Sequence, residues 1–273
     1  MSKIIIFGSS GLLGHYLHTV LRESHECISI NRSDINAADI TSININRELI
    51  ASADCVVNCI GVTKPNIKTV GYADTISINT IFPNILSRIC NEIKTPMIHI
   101  SSDCVFSGKE GKYIEGDNHD ATDIYAKTKS LAPPLATTIL TSFIGEKTDP
   151  GHPGLLNWIL RQDDNIHGYT NCLWNGITCL QLSEIINNII ITDSYWIGTR
   201  HVFSPRVISK YDLCTIVNDV YELDLDVIPH EAVHIEGTII PGVLDRSLST
   251  IYTPFRIPSI ERQLNDQRKF TLR

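Results

Sequence analysis

Apolar residues in the first half of the chain fall into short runs separated by helically spaced segments. Lys3–Gly8 is almost continuously apolar, the pattern of a strand covered on both faces. Over Gly11–Glu23 the apolar positions Leu13, Leu17, Val20 and Leu21 recur at helical spacing. Glu26–Asn31, Cys55–Ile60, Pro96–Ser101 and Thr137–Phe143 read as four further strands. Tyr72–Glu92 reads as a long helix that Pro83 interrupts. Strands alternating with helices pair in parallel, so the pattern predicts an α/β fold with a doubly wound parallel sheet.

Beyond Thr141 the alternation weakens. Pro150-Gly-His-Pro-Gly154 is a loop signal, while Leu155–Arg161, Leu180–Ile191 and Val207–Tyr221 carry helical patterns. At 273 residues the chain has room for about two lobes. The expected division is a nucleotide-binding domain over 1–145 and a smaller C-terminal substrate lobe over 146–273, with segments around 175–200 returning to the first.

Composition narrows the partners. The net charge is −7 with no run of like charges, which argues against nucleic acid. No stretch reaches the length of a membrane helix, and the N-terminus is not a signal peptide, so a cytoplasmic protein without a membrane partner is expected. Eight cysteines lack any C-x-x-C pair and read as buried free thiols. Ten histidines show no metal-ligand spacing, and no metal site is expected. His15, His18 and His152 read as surface or loop residues, and Trp158 as core.

The turn after the first strand carries the first chemical signal. Gly8-Ser9-Ser10-Gly11-Leu12-Leu13-Gly14 follows a buried strand and opens a helix. In a Rossmann-type sheet the first glycine makes the turn, the second admits a pyrophosphate, and the third lets helix and strand pack closely. Free N–H groups and the positive helix end then face the phosphates. At the end of the second strand an acid would bind the ribose of NAD; here Arg32 and Ser33 could hold the 2′-phosphate of NADP, and Asn31 does not repel it. NADP(H) is therefore favoured over NAD(H). Asp39, followed by Ile40, could sit near the adenine and could equally be a helix N-cap or turn residue, while Cys59, Ile60 and Gly61 end the third strand and would pass beneath the ribose.

His99-Ile100-Ser101-Ser102-Asp103 ends the fourth strand, where ligands gather in such sheets. Tyr125 and Lys129 are four residues apart, on one face if helical. An ammonium close to a phenol lowers its pKa toward the working range, which suits proton transfer. A Ser102 hydroxyl can orient a carbonyl, while the cofactor carries the hydride. Tyr-x-x-x-Lys alone is common on helix surfaces; the conjunction with the glycine loop and Ser102 gives it meaning.

That conjunction resembles the extended short-chain dehydrogenase/reductase family, and most of all its dTDP-4-dehydrorhamnose reductase branch. The match is clearest at Ile100-Ser-Ser-Asp-Cys-Val-Phe-Ser-Gly108, Gly111-Lys-Tyr-Ile-Glu-Gly-Asp117 and Ile124-Tyr-Ala-Lys-Thr-Lys129. The resemblance implies catalytic Ser102, Tyr125 and Lys129, with Ser102 in place of the usual threonine. It implies cofactor contacts at Ser101, Tyr125 and Lys129 and at the residues named above. It also implies substrate contacts at Thr63, Ser102, Val105, Phe143 and Trp174, and a structural Asn79. The activity it implies is NADPH-dependent reduction of a nucleotide-activated 4-keto-6-deoxy sugar in polysaccharide biosynthesis, by a chain compatible with a homodimer.

The sequence departs from the branch in three places. Phe143 stands for a common tryptophan, Leu140 for an arginine, and Ala132-Pro133-Pro134 cuts short the helix after Lys129. Two other readings remain. Nucleotide-sugar epimerases and dehydratases share the fold, but dehydratases carry Asp-Glu where this chain has Asp103-Cys104. A non-catalytic NADP-binding regulatory subunit would not need Ser102, Tyr125 and Lys129 together.

Overall fold

In the computed structural model, residues 1–39, 45–146, 154–235, 238–239 and 242–272 are described. They divide into two compact units, one formed by 1–105, 122–140 and 182–200, the other by 106–121, 141–181 and 201–273. A boundary near 145 with a return of segments around 175–200 was expected; the units divide at 140/141, 182–200 falls in the first unit, and 106–121 falls in the second.

The first unit is built on β1 (Lys3–Phe7), β2 (Glu26–Ile30), β3 (Cys55–Asn58), β4 (Met97–Ser102) and β5 (Thr137–Thr141), with the Gly198–His201 strand at one edge. The six lie in a parallel sheet. Their order runs from Gly198–His201 through β5, β4, β3 and β1 to β2. Ile4, Ile5, Ile6 and Phe7 are all at most 3% exposed, which is why β1 reads as an unbroken apolar run rather than an alternating one. β1 pairs in parallel with β2 on one side, Phe7 opposite Ile30, and with β3 on the other, Phe7 opposite Asn58. The chain thus reverses its direction of travel across the sheet between β1 and β3, and ligands of such sheets bind at that reversal.

Helices cover the sheet with apolar faces. Phe82, Leu86 and Cys90 of the Phe82–Ile93 helix are buried with Ile5, Phe7, Val56 and Met97 in one core cluster. The Phe7 and Phe82 rings meet edge to face at 5.8 Å. The expected interruption by Pro83 is present, but it lies upstream. Tyr72–Ile76 is α-helical, Ser77–Ile81 is a π turn, and the α-helix resumes at Phe82. Proline lacks an N–H and its ring crowds the carbonyl four residues back, here that of Asn79; a wider turn there accommodates both. At the other end, Lys94 adopts a left-handed conformation (φ 67°) that stops the helix.

The second unit has its own core, which includes Leu156, Ile159, Ile166, Trp174, Leu213, Val217 and Leu264. Its strands are short: Cys172–Trp174 lies between Ile208–Ser209 and Leu244–Asp245, and Asn165–Tyr169 pairs in parallel with Asp226–His230. The Lys210–Tyr221 helix begins on a capping box between Ser209 and Asp212, so it starts later than Val207. None of the eight cysteines, all among the described residues, is in a disulfide, and five are buried. Among the described residues no helix is long and apolar enough to cross a membrane.

Candidate active site

The first unit holds a cavity of about 450 Å³ at the β1/β3 reversal. Gly8, Ser10 and Gly11 line it from the glycine loop, Arg32 from beyond β2, and Cys59, Ile60 and Gly61 from the end of β3. Gly8 has φ +82°, which a side chain would strain, and its N–H donates to the Ile30 carbonyl at 2.7 Å. Gly14 has no room for a side chain, since a Cβ there would meet the Gly8 carbonyl oxygen at 2.1 Å. That is the close helix–strand packing the third glycine of such loops provides. The Leu12–Leu21 helix has no side-chain cap at Gly11, so its first N–H groups are not taken up by a capping side chain.

Other residues expected around a cofactor have different surroundings. Leu13 and Gly14 are buried against the sheet and do not line the cavity. Asn31 turns toward the glycine loop, where its Oδ1 accepts from Ser9 Oγ at 3.0 Å and Ser10 N at 2.9 Å. It staples the loop to the end of β2 and leaves Arg32 as the residue of the pair that faces the cavity. Asp39 is half-buried outside the lining, and Ile40 lies outside the described residues, as does His152. Sequence reasoning missed Ile35, Asn36 and Ala37 beyond β2, and Asn66, Thr69 and Val70 opposite. No periodicity or motif marks them; they are brought together by the turns that follow β2 and β3.

The tip of β4 gathers side chains instead. Asp123 caps the Ile124–Ser130 helix, accepting from Ala126 N at 3.1 Å, and the helix carries Tyr125 and Lys129. The Ser102 side chain lies beside the Tyr125 phenol. Ser102 Oγ also accepts from Cys104 N at 3.2 Å and donates to Asp103 Oδ1 at 3.3 Å. Ser101 is buried, and its hydroxyl donates to the Lys129 carbonyl at 3.2 Å, tying helix to strand. Lys129 Nζ donates to the Ile100 carbonyl at 2.8 Å and lies 4.0 Å from where a Cβ on Gly61 would be. The ammonium therefore sits beneath the cavity floor.

Electrostatics here differ from the sequence expectation. Burial pushes the Tyr125 phenol above its ordinary pKa, with Cys104, Asp103 and Asp123 adding to the rise and the Ser102 hydrogen bond opposing it. The expected lowering by Lys129 is not found, because that ammonium is directed at the Ile100 carbonyl and the Cys59 thiol. Burial lowers Lys129 itself to about 8, with Cys59 pulling the other way. Burial likewise raises the Cys59 thiol to about 12 despite the neighbouring lysine. His99, fully enclosed and near Lys129, is held well below its ordinary value; its ring shares a 3.2 Å hydrogen bond with Asn58.

Asn79, in the π turn, links both halves of the site. Its Oδ1 accepts from Val62 N at 2.7 Å, and its Nδ2 donates to the Val62 carbonyl and to Thr128 Oγ1, each at 3.1 Å. Thr80 Oγ1 adds a 2.8 Å bond to the Thr128 carbonyl. The structural role expected of Asn79 is thus specific: it joins the cavity floor to the helix that carries Tyr125.

Two of the substrate contacts expected from the sequence, Val105 and Trp174, are buried. Val105 is fully buried and presents no side-chain surface. Trp174 is 3% exposed in the second unit's core, its Nε1 donating to Ser142 Oγ at 2.8 Å and its ring under Lys210. Trp158, read as core, is 44% exposed. The two tryptophans exchange roles because Trp174 lies on a central strand, whereas Trp158 lies on a short helix whose buried positions are Leu156, Asn157 and Ile159. Phe143 is half-buried on a strand of the second unit, and Thr63 is exposed in the first.

Comparison with known proteins places this geometry. Residues 2–133 match the model of the RmlD substrate binding domain. A dTDP-4-dehydrorhamnose reductase of Mycolicibacterium smegmatis is 27% identical over 130 residues, 46% of this chain. That match spans only 39% of the relative's length. A probable low-salt glycan biosynthesis reductase, Agl14 of Haloferax volcanii, is 25% identical over 240 residues, covering 78% of this chain and 79% of the relative. The crystal structure of dTDP-4-dehydrorhamnose reductase from Bacillus anthracis in complex with NADP superimposes with a TM-score of 0.79 at 17% identity, covering 100% of this chain and 99% of that one.

Proposed function

We propose, for a chain that is a distant homologue of the dTDP-4-dehydrorhamnose reductases with the extended short-chain dehydrogenase/reductase fold, that it reduces the 4-keto group of a nucleotide-activated 4-keto-6-deoxy sugar with NADPH. The observation that carries the reading is the placement of the Ser102 hydroxyl beside the Tyr125 phenol at the tip of β4, with Lys129 Nζ 4.0 Å from where a Cβ on Gly61 of the glycine-loop cavity would be. Polar hydrogens, a proton donor and a dinucleotide cradle are thereby assembled in one unit.

The residues present fit a nicotinamide dinucleotide. Gly8, Ser10 and Gly11 would hold the pyrophosphate, Arg32 the 2′-phosphate, and Cys59–Gly61 the ribose side, all on the cavity wall. When bound, the cofactor supplies a hydride to the carbonyl carbon. Ser102 offers its hydroxyl to the carbonyl oxygen and Tyr125 gives that oxygen a proton. The raised pKa of Tyr125 keeps its proton in place at neutral pH, as a donor requires. Lys129 holds positive charge against the Ile100 carbonyl, next to Gly61 on the ribose side of the cavity. The reading includes a homodimer and a place in polysaccharide biosynthesis, both implied by the family resemblance.

The test is turnover of a panel of 4-keto nucleotide sugars with NADPH and with NADH. Stoichiometric NADPH consumption with one of them supports the reading. Tight NADPH binding with no turnover of any would overturn it in favour of a regulatory subunit.

A further inference from the structure

The stretch between β3 and the Tyr72–Ile76 helix is fastened at two points. At Val62, Asn79 accepts from the N–H at 2.7 Å and donates to the carbonyl at 3.1 Å. Two residues on, Lys64 Nζ lies 3.2 Å from Asp123 Oδ2. Thr63 sits between the fastenings, exposed, its hydroxyl accepting from Asn66 Nδ2 at 3.2 Å and its carbonyl from Asn66 N at 2.9 Å. Asp123 divides its two oxygens: Oδ1 caps the Ile124–Ser130 helix, and Oδ2 takes the lysine.

We infer that Lys64 is a positioning residue, whose ion pair with Asp123 fastens the turn over residues 62–66, and Thr63 with it, to the N-terminus of the helix that carries Tyr125. The consequence for substrate rests on the function proposed above, in which Thr63 and Tyr125 meet the same sugar. An exposed ion pair usually contributes little, because screening and side-chain entropy cancel the attraction. This one is favoured by geometry. The two side chains are 27% and 35% exposed, the capping bond already fixes the carboxylate, and Lys64 opens a 3₁₀ turn, Lys64–Asn66. The lysine also sets a positive charge against an aspartate that otherwise faces the Tyr125 phenol alongside Asp103 and Cys104.

Three variants separate the fastening from the cap. Lys64→Met removes the cation. Asp123→Asn removes the anion but keeps an N-cap, since asparagine caps as well as aspartate. Lys64→Arg should restore the pair. Amide hydrogen exchange at Val62 and Asn66, whose N–H groups are hydrogen-bonded, should quicken about two- to fivefold in the first two, the range a half-exposed pair can carry. Exchange should stay near wild type in Lys64→Arg, and the Lys64→Met/Asp123→Asn double variant should be no faster than either single. The KM for the sugar nucleotide should rise by a similar factor in Lys64→Met and recover in Lys64→Arg, while NADPH, whose cavity Asn66 lines, should weaken by no more than that factor. Unchanged exchange in both single variants, or additive effects in the double, overturns the fastening. Quickened exchange with an unchanged KM overturns its role in placing substrate. A wild-type chain that turns over no 4-keto nucleotide sugar defeats the proposed function instead, and the exchange measurements still decide the fastening.

Discussion

Around the cavity the chain offers backbone, and at the tip of β4 it offers side chains. Gly8, Gly11 and Gly61 bring bare main chain to the cavity wall, and Gly14 lets the first helix press on the strand. At the tip of β4, Lys129 is buried and Tyr125 is half-buried, and both have pKa values moved by burial. The backbone half depends on absent side chains and is intolerant of added atoms. The side-chain half depends on burial of groups that would be more comfortable in water, and it is held at a cost in stability. Binding and chemistry are thus supported by opposite kinds of constraint, and substitutions should separate them.

The largest expected effect is on chemistry alone. Tyr125→Phe should lower kcat by about 10²–10⁴-fold, the contribution of a positioned proton donor. NADPH binding, followed by the fluorescence of the bound cofactor, should remain within about twofold, because Tyr125 does not line the cavity. A variant that keeps its turnover would mean another group donates the proton.

Next come two changes of opposite sign in stability. Gly14→Ala places a Cβ against the Gly8 carbonyl and should cost about 3 kcal/mol in urea unfolding, at the top of the usual range for overpacking. Lys129→Met removes a buried cation and should raise stability by about 1–3 kcal/mol at pH 7 while abolishing turnover. The sign follows from proton uptake. The folded lysine titrates near 8 and the unfolded one near its ordinary value of 10.5, so between these pH values the unfolded chain binds more protons. Wild-type stability therefore rises with pH across that window, and the advantage of the methionine variant shrinks to nothing above it. An advantage that stays constant from pH 7 to 10 would show that the ammonium is not the destabilising element.

The smallest effect concerns one edge of the cavity. Arg32→Ala should weaken NADPH about 10–100-fold, the worth of a charge-assisted hydrogen bond, and leave NADH unchanged. Equal loss for both cofactors would move the phosphate contact elsewhere. Asn31→Ala should instead weaken both equally, since Asn31 holds the loop and not the cavity wall.

Much of this was readable in the amino-acid order. The parallel strands, the glycine loop and the association of Ser102 with Tyr125 and Lys129 all follow from local pattern. What could not be read was direction. Asn31 and Arg32 are adjacent and equally polar, yet one points at the loop and the other at the cavity. Trp174 and Trp158 differ in burial because of strands and helices around them, and Val105 is lost to the core. The Lys64–Asp123 pair joins residues 59 positions apart, and nothing in either segment announces the other.

By itself the sequence determined the elements and the chemistry: apolar runs too continuous for anything but buried strands, glycines where a turn needs φ > 0, and a phenol and an amine one helical turn apart. Only the tertiary structure decided where the charges go. Lys129 could have faced the Tyr125 oxygen or the Ile100 carbonyl at equal sequence spacing; it takes the carbonyl because β4 lies beneath it. Burial, which sets the pKa of both groups, depends on elements drawn from every part of the first unit, and spacing along one helix carries no information about them.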